Sequence, residues 1–410
     1  MTPITRRHLL ASAGAGAAGL GIGASGYLVG QESAEADGLL GTVPFHGKHQ
    51  AGIVTPAQDR LYFASFDLLT EKRAELRELM REWSRAAAEM CDGKAIGEAN
   101  VQPLAPPQDS GETAGISPAN LTVTFGFGPG LFEKRGLALN GRRPTALKPI
   151  PPFPGDELDE LESGGDICVQ ACADDPQVAF HAVRNLARIG QGVVATRWSQ
   201  LGFGRTSTSS SRREMRRNLL GFREGTANLR GDDTEAMNSC VWLGERDNPP
   251  WMRGGTYLVT RRIRIRLQAW DRSSLKQQEQ TIGRDKDSGA PLGGDEESDP
   301  LDLSAVSNGK GTIPGRAHVR LAFSIDPSER ILRRGYAFAD GVDQGSGELE
   351  AGNFFICFQR NPEHQFASIQ RRLATTPDAL TKYITHVGSA VFAIPPGASR
   401  TGYVGKTLLE

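Results

Sequence analysis

Cysteine is scarce in this 410-residue chain. The five present, Cys91, Cys168, Cys172, Cys240 and Cys357, are an odd number with no CxxC pair. That argues against a disulfide framework and against a zinc site, and it leaves buried free thiols as the expectation. An excess of one charge is lacking too. Lys and Arg number 47 against 48 Asp and Glu, a formal net charge of -1, and the basic residues are spread along the chain. No footprint for nucleic acid stands out. Apolar residues make up 38% of the chain, enough to fill the cores of two ordinary domains, and a membrane bundle is excluded. Small-molecule chemistry is the better starting point.

The N-terminus carries Thr5-Arg6-Arg7-His8-Leu9-Leu10, followed by an uncharged stretch to Gly30 dominated by Gly and Ala. Paired arginines before a weakly apolar segment read as a twin-arginine signal, addressed to the twin-arginine export machinery, which carries proteins already folded and loaded with cofactor. The competing reading is a membrane anchor, since the run is just long enough to span a bilayer; its glycine content weighs against that. Ala34-Glu35-Ala36 offers a small-x-small cleavage site, so residues 1–36 form the leader and the product is exported, to the periplasm, cell envelope or medium.

Arg60 to Leu68 alternates like a strand, and Leu76, Leu79, Met80, Trp83 and Ala87 then recur at helical spacing. Strand signals at Leu121–Phe125 and Asp166–Cys172 precede a helix with Asp175 as N-cap and Pro176 at its first position, then a strand Val193–Trp198. The order βαββαβ is the ferredoxin-like arrangement. The second half repeats the plan without visible sequence identity. It holds a long strand Tyr257–Trp270, a helix Ser273–Gly283, strands at Ala317–Phe323, Ile331–Phe338 and Phe354–Gln359, a terminal helix and a last strand near Ala390–Ile394. The fold class is α+β, two ferredoxin-like domains over residues 37–220 and 221–410, divided near the polar run Thr206–Ser211. Asp285–Leu301 reads as a surface loop with a solvated charge run.

Three stretches of the first half, Phe45–Ile53, Phe125–Phe132 and Gly165–Cys172, resemble the N-terminal domain of exported dye-decolourising peroxidases. In the second half Gly221-Phe222-Arg223-Glu224-Gly225-Thr226-Ala227-Asn228, Ile282–Lys286, His318–Leu321 and Ile331–Tyr336 follow in the order of that family. Each is weak alone; the ordered series covers nearly all of the mature chain. The resemblance implies one haem b per chain, held mainly by the C-terminal half, with His318 as metal ligand. It implies a peroxidase that reduces hydrogen peroxide through a ferryl intermediate and oxidises dyes, phenols or similar donors. It leaves the oligomeric state open between monomer and homo-oligomer.

The resemblance also places an acid and an arginine on the other face of the haem. Glu224 stands where the family carries aspartate, one methylene longer, and Arg333 matches the arginine best, with Arg334 as the alternative because a strand turns only one of the two toward the haem. Further cofactor contacts are expected from Gly225, Thr226, Arg284 toward a propionate, and Phe355 and Ile356 as an apolar wall. His46, His49, His181, His364 and His386 match no ligand position. Tyr336, Tyr383, Trp242 and Trp251 are the candidates for surface electron transfer. Two other readings stay open: a haem carrier or iron-release protein of deferrochelatase type, which the Glu224 departure keeps in play, and an exported binding protein with no cofactor.

Overall fold

The computed structural model describes residues 41–97, 103–204, 216–307 and 310–410. The leader, its cleavage site and the Thr206–Ser211 run lie outside the described residues. Among the described residues no helix is long and apolar enough to cross a membrane.

The first half runs β1 (Arg60–Leu68), α1 (Arg73–Cys91), β2 (Thr122–Phe127), β3 (Ile167–Ala173), α2 (Pro176–Ile189) and β4 (Val194–Phe203). The apolar spacing foretold for α1 is the buried stripe: Leu76, Leu79, Met80, Trp83 and Ala87 all face inward. The Trp83 indole donates to the Leu186 carbonyl at 2.8 Å and ties α1 to α2. Asp175 caps α2 by accepting from the amides of Gln177 and Val178, and Pro176 occupies the first turn, where a missing N–H costs nothing.

The second half repeats this order with α3 (Thr234–Cys240), β5 (Thr256–Ile265), α4 (Leu267–Asp271), α5 (Leu275–Ile282), α6 (His318–Ala322), β6 (Leu332–Arg333), β7 (Tyr336–Val342), β8 (Leu349–Gln359), α7 (Ser368–Thr375) and β9 (Ile384–Ile394). The strand order is β2-β3-β1-β4 in the first half and β7-β8-β5-β9 in the second, the same ferredoxin-like permutation twice. The halves join where β4 meets β7 at Phe203–Ala337 and β9 meets β2 at Ala393–Phe127, so that eight antiparallel strands close on themselves and β6 adds to β8. Each seam rests on one residue pair. Residues 41–410 form one compact unit.

Alternation along the strands sorts side chains into two environments. Leu61, Phe63, Leu258, Tyr336, Phe338, Phe354, Ile356, Phe392 and Ile394 fill the barrel. Outside the first half, α1 and α2 cover Phe66, Val123, Phe125 and Val169. Outside the second half, α5, α6 and α7 roof over the outward residues of β5, β7, β8 and β9, and between roof and sheet a cavity remains.

Two expected strands are corrected. Ala317–Phe323 contains a short helix, α6, because the Ala317 carbonyl accepts from the amides of Arg320 and Leu321. Over so few residues, alternation and helical spacing select the same apolar positions. The long strand through Trp270 stops at Ile265, where the Arg266 amide turns to the Tyr383 carbonyl and α4 begins. All five cysteines are buried free thiols, and burial pushes the Cys91 thiol up to about 12.

Candidate functional site

The cavity encloses about 580 Å³, within the usual range for a cofactor or small-molecule site. Its walls are largely apolar, including Leu219, Ile263, Ile265, Ile331, Phe355 and Leu373. Polar groups enter from separate elements: Glu224, Arg284, His318, Arg333, Asp378 and His386.

His318 opens α6. Its Nδ1 lies 2.6 Å from Asp378 Oδ2, and the Asp378 side chain is 2% exposed. Asp378 is held in turn by the Leu380 amide, which donates to Oδ1 at 2.9 Å. A carboxylate in that position accepts a hydrogen bond from Nδ1–H, which leaves Nε2 as the ring's lone-pair donor. Sequence reasoning missed Asp378. Its only local signal is that of an N-cap before a one-turn helix, and the 60 residues separating it from His318 hide the pairing.

His386 also lines the cavity, beyond a bulge at His386–Gly388 that resets the alternation of β9. Burial, with Arg261 and His318 nearby, drives its pKa down to about 3, so it is neutral. Arg261 donates to its Nδ1 at 3.3 Å and pairs with Asp156 at 2.5 Å.

Strand alternation decides between the neighbouring arginines. Leu332, Arg334 and Tyr336 point into the barrel, where the Arg334 guanidinium is spent on the Thr55 carbonyl and Gln58. Arg333 points outward into the cavity. Its main chain is clamped by the Asn228 carboxamide, which accepts from the Arg333 amide at 2.9 Å and donates to its carbonyl at 2.8 Å, while Arg333 Nη2 donates to the Thr226 carbonyl at 2.8 Å. Arg333 is exposed to the open cavity; the protein packed around it lowers its pKa from the ordinary value, and the Glu224 carboxylate acts in the opposite direction.

Glu224 sits at the end of a hairpin that turns at Gly221, whose φ of +83° favours glycine. A Cβ on Gly335 would lie 3.4 Å from Glu224 Oε1, so the acid packs over bare backbone. Gly225, with φ of +100°, and Thr226 line the cavity as expected, but the Thr226 hydroxyl is turned away to Glu297 Oε1 at 2.7 Å. Glu297 also pairs with Arg223 at 2.8 Å. The Asp285–Leu301 segment lies largely at the surface, as its charge run suggests, and through Glu297 it also braces the turn that carries Glu224. Arg284 is buried at the cavity wall, with Nη1 donating to the carbonyls of Gly289 and Glu297.

Two expectations are corrected. Ile356 is fully buried inside the barrel and only Phe355 faces the cavity, since neighbours on a strand point oppositely. None of Tyr336, Tyr383, Trp242 and Trp251 is a surface residue; they are at most 7% exposed, because large aromatic side chains were drawn into the cores.

The donor set fits a haem: the His318 imidazole nitrogen for iron, an apolar slot for the ring, and Arg284 and Arg333 in the walls for acidic groups. Comparison with known proteins decides the matter. Residues 50–204 match the model of the Dyp-type peroxidase N-terminal domain and residues 215–399 that of the C-terminal domain. The chain belongs to the Dyp-type peroxidase family. Among curated relatives, the deferrochelatase of Escherichia coli O157:H7 is 36% identical over 393 residues, 93% of this chain and 92% of the relative. Among solved structures, an oxyferrous complex of DtpA from Streptomyces lividans is 38% identical with a TM-score of 0.84, covering 91% of this chain and 99% of that one. A Dyp-type peroxidase from Cellulomonas bogoriensis is 40% identical with a TM-score of 0.82 over the same shares. This Dyp-type peroxidase is thus a haem oxidoreductase that takes peroxide as one substrate and a reductant as the other.

Proposed function

We propose that His318 would hold the haem iron through Nε2, that Asp378 orients it, and that Glu224 and Arg333 would work on peroxide in the same cavity. The observation that carries this is the 2.6 Å His318–Asp378 contact, which leaves Nε2 as the ring's free donor, in the cavity that Glu224 and Arg333 also line. When bound, the haem iron supplies the electrons that cleave the peroxide bond. The chain's own part is proton handling and charge. A Glu224 oxygen accepts a proton from one peroxide oxygen and returns it to the departing one, and the Arg333 guanidinium supplies positive charge where negative charge develops. Asp378 accepts a hydrogen bond from Nδ1–H and makes the ring a stronger donor.

Glu224→Gln removes the acceptor and should slow the peroxide reaction by about a hundredfold, within the range for general acid–base groups. Glu224→Asp restores the family's shorter acid and should retain or raise the rate. Stopped-flow absorbance against peroxide concentration measures both; a Gln variant as fast as the parent would remove Glu224 from proton transfer.

The reductants are dyes, phenols or similar donors. A second reading, haem iron release, is favoured by the deferrochelatase relatives. Iron-free porphyrin recovered by chromatography after incubation with reductant would support it, and steady turnover of a dye with the porphyrin intact would oppose it.

The leader is read as a twin-arginine signal on the strength of Arg6-Arg7 and the glycine-rich stretch after it. Replacing both arginines with lysine should hold the precursor in the cytoplasm, and the exported form should begin at Asp37. Cell fractionation with N-terminal sequencing checks this, and unimpaired export of the double variant would reject it.

A further inference from the structure

Arg216 and Glu224 face one another across the hairpin. Arg217 and Arg223 form a bridge, the Glu224 amide donates to the Arg216 carbonyl at 2.8 Å, and the two side chains meet with Arg216 Nε 3.3 Å from Glu224 Oε2. Cross-strand partners of this kind are set by the turn, so the register that builds the acid also builds its cation. Arg216 is itself fixed. Its Nη2 donates to the Gly335 carbonyl at 2.6 Å and its guanidinium stands 5.6 Å from the centre of the Tyr336 ring.

Glu224 and Arg333 border a second, smaller recess of about 250 Å³, bounded beyond them by Thr55, Pro56 and Arg216. Arg216 lines only that recess, whereas Glu224 lines both it and the haem cavity. The carboxylate therefore stands in the partition between the two spaces, with Arg216 on the outer side and Arg333 bordering both.

We infer that Arg216 is the positioning residue for Glu224: it holds the longer acid of this chain at the partition, and so offsets the extra methylene relative to the family's aspartate. Glutamate has one more rotatable bond than aspartate, and fixing it has a larger entropic cost; an anchored guanidinium supplies the fixed point. Misplacement of a reacting group by about 1 Å can cost up to a hundredfold in rate, so loss of the anchor is felt in chemistry before it is felt in folding. The inference rests on the reading of Glu224 as the group that moves the peroxide proton.

The test is a double-mutant cycle on the holoprotein, with the bimolecular rate of the peroxide reaction as one readout. Arg216→Leu should slow the reaction about tenfold beside Glu224 but less than about twofold in the Glu224→Asp background, and Arg216→Lys should recover most of the loss. The second readout is the apoprotein's infrared carboxylate band, assigned by difference against Glu224→Gln, which should shift on Arg216→Leu. An equal loss beside Glu and Asp, an unchanged rate, or an unmoved band would overturn the inference and leave the reading of Glu224 standing. If Glu224→Gln reacts as fast as the parent, both fall together.

Discussion

A His318→Ala protein is expected to lose its grip on haem by about a hundredfold or more. Loss of an outer-shell partner of a metal-bound histidine already costs about 10- to 100-fold in affinity, and loss of the ligand should exceed it. The walls supply apolar contact and two cations, so residual haem should bind without the histidine signature in its spectrum. Asp378→Asn is the informative companion. It keeps the shape and the Leu380 cap but removes the charge facing Nδ1 at 2.6 Å, so affinity should fall by an intermediate factor and the absorption maximum should move. Titrating haem into the apoproteins while following the Soret band measures all three. An alanine variant with parental affinity and an unaltered spectrum would refute His318 as the residue that would hold the iron.

Much of the scaffold could be read from local chemistry. Arg60–Leu68 alternates cleanly and is a strand over those same bounds, and Asp175-Pro176 starts a helix because a cap and a proline both suit a first turn. The repeated permutation of strands was legible from element order, whereas closure of the barrel was not: at each seam the register is a single residue pair, and nothing in Phe203, Ala337, Ala393 or Phe127 announces a partner in the other half. The site divides the same way. His318, Glu224 and Arg333, singled out by the motifs around them, line one cavity, and alternation left only one arginine of two facing it. Asp378, Glu297 and Arg216 were not found, because each acts by meeting a motif residue through a turn or loop. A charged residue in such a segment looks solvated until the fold shows what it touches. The aromatic candidates failed for the opposite reason: composition reports how many tyrosines and tryptophans there are, while packing decides which are wet.

The same contrast sets the expectation for Arg333→Leu, in which the rate of reaction with peroxide should fall by about a hundred- to a thousandfold while haem remains bound. Arg334 cannot substitute, since it points into the barrel, where its Nη1 and Nη2 donate to the Thr55 carbonyl and Gln58. Arg333 is fixed from behind. Asn228 holds its main chain on both sides and the Thr226 carbonyl takes one guanidinium hydrogen, so the charge is aimed before any substrate arrives. A preorganised cation needs little rearrangement when negative charge develops, and that is where its advantage over a flexible surface arginine lies. Arg333→Lys should fall between, because lysine keeps the charge but lacks the fork that meets Thr226. Stopped-flow rates over a peroxide series, read beside the Soret intensity of each resting protein, separate loss of chemistry from loss of cofactor. A leucine variant that reacts as fast as the parent with haem fully bound would take Arg333 out of the reaction and leave Glu224 as the group to be tested alone.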